Sequence, residues 1–140
     1  MKILLITYQF GGSASGIMSY RVAAELVRQG HEVYVVTEHN HIPFEQWDNN
    51  KCLEIKHIFS KQSLYYRLYW HLSSKYRNTG VDYIWCLRAF CKSFCFAKSW
   101  KPDWIYCRSS PIHANIIGLF FSKRGYKVLQ HFADPFPAPN

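Results

Sequence analysis

Carboxylates are scarce in this sequence. Nine aspartates and glutamates stand against 17 lysines and arginines, a formal charge of +8 over 140 residues. No two acids stand close enough in sequence to suggest a paired-carboxylate site, and no metal site is expected. Also missing are the Ser elbow G-x-S-x-G, the zinc motif H-E-x-x-H, the dinucleotide fingerprint G-x-G-x-x-G and the G-K-[ST] end of a P-loop. Long apolar runs are absent too. The opening run from Lys2 to Tyr8 is too short for a signal peptide or a membrane span. Five cysteines, an odd number, include no C-x-x-C pair. A reducing, cytoplasmic setting with free, buried or half-buried thiols is expected. Cys91 and Cys95 would share one helical face.

What the sequence does have is enough apolar material for one core, at 49% hydrophobic residues. A domain of this length buries roughly 70% of the surface its unfolded chain exposes. The positive charge favours anionic partners: phosphorylated substrates, anionic lipid or nucleic acid.

Apolar periodicity predicts alternating strands and helices. Lys2–Tyr8 reads as a strand buried on both faces. The small-residue loop Gly11–Gly16 leads into a helix from about Ile17 to Arg28. Met18, Val22 and Leu26 mark that helix's buried stripe, widened by Ala23 and Val27. Gly30 stops it in a left-handed cap. Glu32–Thr37 completes a parallel β-α-β unit. His39–Asn50 reads as loop, Leu53–Ile58 as an edge strand, and two helices follow at about Leu64–Tyr76 and Asp82–Ser99. Trp104–Cys107 is a fourth strand. Ser110 as N-cap and Pro111 at the first position open a further helix, with Ile112, Ile116, Leu119 and Phe120 inward and Gly125 at its end. Lys127–Phe132 is a fifth strand, and Pro135, Pro137 and Pro139 prevent regular structure beyond it.

This pattern predicts an α/β, Rossmann-like, doubly wound, mostly parallel sheet with helices on both faces. Ligands of such sheets bind beyond the carboxyl ends of the strands, where the strand order switches. Three segments fall there: Gly11–Gly16, Arg108-Ser109-Ser110 and Asp134. The glycine loop either cradles a phosphate at a helix N-terminus or simply makes a tight turn. Arg108 with Ser109 and Ser110 suits an anion or sugar hydroxyls, or else Ser110 is a cap and Arg108 a surface charge. Asp134 suits a base, an acceptor for sugar hydroxyls, or a turn cap. His131 reads as a hydrogen-bonded strand residue rather than an acid or base. Glu38, at the second strand's end, sits where a dinucleotide enzyme binds ribose, so an NAD(P)-dependent or other nucleotide-binding domain is the alternative.

Several segments together resemble a known family. They are Lys2–Ile6 with the glycine loop, Glu25–Thr37, Lys101–Tyr106, Arg108–Pro111 and Phe132–Pro137. Their order is similar to the N-terminal domain of GT-B glycosyltransferases of family 4, the group 1 retaining enzymes. The resemblance implies two Rossmann-like domains facing across a cleft. Residues 1–140 would form the acceptor-side domain, and the donor-binding C-terminal domain would lie outside this chain. The implied substrates are a nucleotide-sugar donor and a saccharide or lipid-linked acceptor, used in surface polysaccharide or glycolipid synthesis without a further cofactor. The implied roles are Gly11, Gly12 and Gly16 at the donor phosphate, Arg108, Ser109 and Ser110 on the acceptor side, and Asp134 in catalysis. Half of such an active site is expected to be inactive alone.

The middle of the chain mixes cations with aromatics, as in Leu64–Leu72 and Arg88–Phe96. Such stretches either pack on the sheet, their cations snorkelling outward, or lie peripherally on an anionic membrane. A non-enzymatic basic module that binds lipid or nucleic acid is a further alternative, although no specific nucleic-acid-binding signature is present.

Overall fold

The structure is a computed structural model that describes residues 1–43, 45–55, 83–109 and 112–132. The described residues form seven strands: β1 (Lys2–Thr7), β2 (Gln9–Phe10), β3 (Glu32–Thr37), β4 (His39–Asn40), β5 (Cys52–Glu54), β6 (Trp104–Arg108) and β7 (Val128–His131). The α-helices among the described residues are α1 (Ala14–Arg28), α2 (Tyr83–Trp100) and α3 (His113–Ser122). The five-stranded sheet runs β5-β3-β1-β6-β7, and every pairing in it is parallel. The expected α/β doubly wound fold is therefore present. The strand order switches beside β1, whose successors lie on both sides of it.

β1 is central, and its alternate residues feed two separate cores. Ile3 and Leu5 join Val33, Val35, Tyr106 and Ala23 of α1 on one face. Leu4 and Ile6 join Val36, Ile105, Cys107, Trp85 and Ala89 of α2, and Ile117 and Phe121 of α3 on the other. This two-sided burial explains why β1 carries an unbroken apolar run instead of an alternating one. α1 thus covers one face of the sheet and α2 with α3 the other.

The expected helix ends and faces met mixed outcomes. Gly30 does close α1: its φ is 81°. The amides of Gly30 and His31 bond back to Val27 and Leu26, a Schellman cap. The buried face of α1, however, is Gly16, Ser19 and Ala23. Met18 and Val27, expected inward, are exposed. Small residues win this face because the helix lies close against the sheet, and the larger side chains sit on its flanks. α3 is corrected in the same way. Ala114, Ile117 and Phe121 point inward, while Leu119 and Phe120 are exposed. Its N-cap is Ile112, which makes no side-chain capping bond, so the helix starts later than Ser110 would place it.

The expected loop after the second strand contains β4, which pairs with β2 in a small parallel sheet. Two-residue strands with a histidine and an asparagine carry no apolar signal. β5 spans Cys52–Glu54 on the sheet edge, and the rest of the expected strand to Ile58 lies outside the described residues. So do the expected helix at Leu64–Tyr76, Ser110, Pro111 and residues 133–140. Cys86 and Cys107 are buried and Cys52 partly so, but Cys91 and Cys95 are exposed, which corrects the expectation of buried thiols for that pair. They share a face of α2 that the core does not use.

Candidate functional site at the switch in strand order

The site forms where β1 and β6 end side by side. After Thr7 the chain passes through β2 into Gly11-Gly12-Ser13 and then α1. Ser13 is the N-cap, with extended φ and ψ of −138° and 165°, and its hydroxyl accepts from the Gly16 amide at 3.1 Å. That hydroxyl also donates to Oε1 of Gln9. The cap uses the Gly16 N–H, so Ala14 and Ser15 supply the first-turn amides that have no partner within the helix.

Each glycine of the loop has a local reason. Gly11 and Gly12 take φ of 79° and 72°, in the left-handed region that glycine enters without penalty. His41 and Ile42, just after β4, lie over them: a Cβ on Gly12 would sit 2.7 Å from the His41 ring, and one on Gly11 2.6 Å from Ile42. A Cβ on Gly16 would fall 2.0 Å from the Gly11 carbonyl oxygen. The tight turn is thus built in, and the small sheet β2–β4 braces it. Thr37 fastens the brace by donating to the Tyr8 carbonyl at 3.0 Å.

Arg108, the last residue of β6, is 5% exposed, which settles against a surface charge. Its Nη1 donates to the Ser15 carbonyl at 3.3 Å and the Ser19 hydroxyl at 3.4 Å. Ser19 Oγ also donates to the Ser15 carbonyl and shares a 3.0 Å bond with Thr7 Oγ1. Arg108 therefore joins β6, β1 and the first turns of α1 through one polar network beneath the glycine loop. Its Nε, fully buried, finds no acceptor among the described residues. Ser109 is buried beside it, its amide bonded to the His131 carbonyl at 2.9 Å.

β7 contributes the other wall. His131 is the Cα partner of Arg108. Its Nδ1 lies 2.9 Å from the Tyr106 hydroxyl. Burial raises the Tyr106 pKa, and the Arg108 charge offsets only part of that. The hydroxyl therefore stays protonated. Asn115 packs beneath, its side-chain amide 3.5 Å from the His131 carbonyl.

The structure thus brings together Gly11, Gly12, Gly16, Arg108 and Ser109. Ser110 and Asp134 lie outside the described residues. Sequence reading missed Tyr106, Ser15, Ser19 and Thr7. Tyr106 was legible in principle, since it stands two residues from Arg108 on one strand face. The serines gave no signal apart from sitting on the helix face that proved to be buried. Among the described residues no group of histidines, cysteines and carboxylates could hold a metal ion.

No protein-family model matches the sequence, and no curated protein matches it. Among solved structures the chain is similar to the spinosyn rhamnosyltransferase SpnG complexed with thymidine diphosphate. That likeness has a TM-score of 0.54 at 15% identity, over 99% of this chain and 37% of that one. It is also similar to a glycosyltransferase from Rickettsia africae ESF-5, with a TM-score of 0.54 at 16% identity, over 99% of this chain and 31% of that one. The chain thus spans about a third of the length of each structure. At these identities the likeness shows a shared fold: the α/β domain described above also occurs in two glycosyltransferases.

Proposed function

We propose that this chain is the N-terminal, acceptor-side domain of a GT-B glycosyltransferase of family 4. The whole enzyme moves a sugar, with retention, from a nucleotide-sugar donor to a saccharide or lipid-linked acceptor. It works in the cytoplasm, in surface polysaccharide or glycolipid synthesis, and needs no further cofactor. The observation that carries this reading is the buried guanidinium of Arg108 against the first turn of α1, at the strand-order switch of a fold shared with two glycosyltransferases. Bond breaking at an activated sugar leaves a diphosphate, which needs hydrogen-bond donors and positive charge around it. In this reading Gly11 and Gly12 let the loop backbone approach the donor phosphate. Gly16 keeps the loop folded against α1. Arg108, Ser109 and Ser110 serve acceptor binding, and Asp134 receives hydrogen bonds or a proton from a sugar hydroxyl. The donor-binding domain would be a separate part of the enzyme.

The test is transfer from a panel of labelled nucleotide sugars by the full parent protein. Transfer that falls about 100-fold or more in Asp134→Asn supports the reading. No transfer from any donor overturns it. The 140-residue chain alone is expected to be inactive, and turnover by it would contradict the division of labour between two domains.

A second reading, peripheral association with an anionic membrane, is favoured by how charge is distributed. Residues 83–100 and 112–132 contain Arg88, Lys92, Lys98, Lys123, Arg124 and Lys127 and no carboxylate. Leu87, Leu119 and Phe120 are exposed among them. Arg124 lies over the Phe90 ring at 4.8 Å, and Lys98 over Phe94 at 4.7 Å. Cations and apolar groups interleaved on one layer suit an interface of anionic headgroups. No helix among the described residues is long and apolar enough to cross a membrane.

A further inference from the structure

Arg108 is a permanent cation, 5% exposed, without a counter-ion among the described residues. The ion pairs found there join Arg28 to Glu25 and His39 to Glu54. Its contacts to Ser15 and Ser19, at 3.3 and 3.4 Å, are long for hydrogen bonds from a charged donor. Its Nε has no acceptor among the described residues. A buried charge left in this state is strongly unfavourable unless an opposite charge completes the site.

The neighbouring strand supplies a second donor. Tyr106 has one hydroxyl hydrogen, and the group 2.9 Å away is His131 Nδ1. Giving the hydrogen to Nδ1 leaves the neutral imidazole with its proton on Nε2. His131 is exposed, so in that tautomer its Nε2–H is a donor that a ligand can use. Tyr106 and Arg108 share one face of β6, since they stand two residues apart, and His131 pairs with Arg108 across the strands. The Tyr106 hydroxyl bonds the imidazole, and Arg108 and His131 are neighbours across the two strands.

We propose that Arg108 and His131, with Tyr106 as the positioning residue, form a binding site for an oxyanion, a phosphoryl group of a substrate. The anion's existence rests on the donor set alone. Its identity rests on the glycosyl-transfer reading, which offers two sources: a nucleoside diphosphate, or a phosphorylated acceptor. His131 and Tyr106 thereby gain roles that the chain's sequence did not assign them.

The test is NMR of the His131 imidazole nitrogens in the full 140-residue chain, titrated with inorganic phosphate, thymidine diphosphate and glucose 1-phosphate. Without ligand, the wild type is expected to show one tautomer with the proton on Nε2, and Tyr106→Phe a mixture of the two. Inorganic phosphate should shift the Nε2 signal saturably. Arg108→Gln should weaken that binding about tenfold or more. Should that variant fail to fold, Arg108→Lys keeps the charge but loses the planar fork, and should still weaken binding by about threefold or more. Tighter binding of thymidine diphosphate assigns the anion to a donor, and tighter binding of glucose 1-phosphate to an acceptor. No saturable shift with any of the three anions overturns the proposal. So does a shift that Arg108 substitution leaves unchanged, or one that appears only in Asp134→Asn, because Arg108 then already has its counter-ion in Asp134. Phosphate binding in a parent protein that transfers no sugar would leave this site standing and remove the glycosyl-transfer reading.

Discussion

Gly16 sits where a methyl group cannot. A Cβ at that position would lie 2.0 Å from the Gly11 carbonyl oxygen, and backbone, unlike a flexible side chain, cannot swing away. Gly16→Ala is therefore expected to cost about 1–3 kcal/mol or more, read from the midpoint of urea unfolding. An unchanged midpoint would mean that the loop does not fold against α1 in this way. The thiols give a second check. Cys91 and Cys95 are exposed and should react with a disulfide reagent in the native protein. Cys107 and Cys86 are buried and should react only on unfolding. Burial above all, with the Glu54 charge adding to it, pushes the Cys52 thiol up to about 12. Burial raises Cys107 as well. A raised thiol pKa stabilises the fold fully below the unfolded value, and that contribution fades as pH rises from about 9 through the folded values. Stability should therefore decline above about pH 9, more steeply than in Cys52→Ser; parallel pH profiles would contradict the burial of this thiol. At this scale the candidate site was half legible. The glycine loop and Arg108 stood out by position at strand ends. The Tyr106–His131 bond did not, because it joins residues on two strands and depends on register, which no local pattern states.

Helix faces show where sequence reading succeeds and fails. The elements themselves were legible: apolar runs gave β1, β3, β6 and β7, and glycines gave the ends of α1 and α3. Which face of each helix turns inward was not. In α3 six of the ten residues are apolar and a seventh is glycine, so periodicity offers several stripes, and packing against β6 and β7 selects among them. Gly118 records that selection, since a Cβ there would lie 2.9 Å from Cys107 Sγ. A pair of variants tests the face. Phe121 is fully buried, with its ring against Phe90 and Tyr126, and Phe121→Ala should cost about 3–5 kcal/mol. Leu119 is 54% exposed, and Leu119→Ala should change stability by no more than about 0.5 kcal/mol. Equal losses in chemical denaturation would put both residues in the core and refute the face. The small sheet β2–β4 was illegible for another reason. Its strands are short, and what holds them is tertiary: backbone bonds and the Thr37 hydroxyl around the glycine loop.

At the scale of all the described residues, carboxylates are absent from one helical layer of the sheet, although Asp103 follows α2 and Glu32 accepts from Trp100 Nε1 at its end. Glu25 lies on α1, Glu32 on β3, and Glu38, Glu45, Asp48 and Glu54 all fall between β3 and the end of β5. The opposite layer, α2 and α3 with the turn to Lys127, has cations only. Net charge alone would attract any polyanion, but this segregation gives the attraction a direction. A membrane meeting the α2–α3 layer would find lysines and arginines to pair with headgroups, and Leu87, Leu119 and Phe120 to enter between them. Liposome co-sedimentation separates this from diffuse electrostatics. Binding to anionic vesicles should exceed binding to neutral ones and weaken as salt rises, because each basic residue near such a surface contributes about 1 kcal/mol. Lys92→Glu with Lys98→Glu should reduce it about tenfold or more, whereas Leu87→Ser with Phe120→Ser should reduce it at high salt as well, where only the apolar contact persists. Equal binding by wild type and both variants would show that this layer is not the docking face. Association driven by charge alone would respond to the first pair and ignore the second.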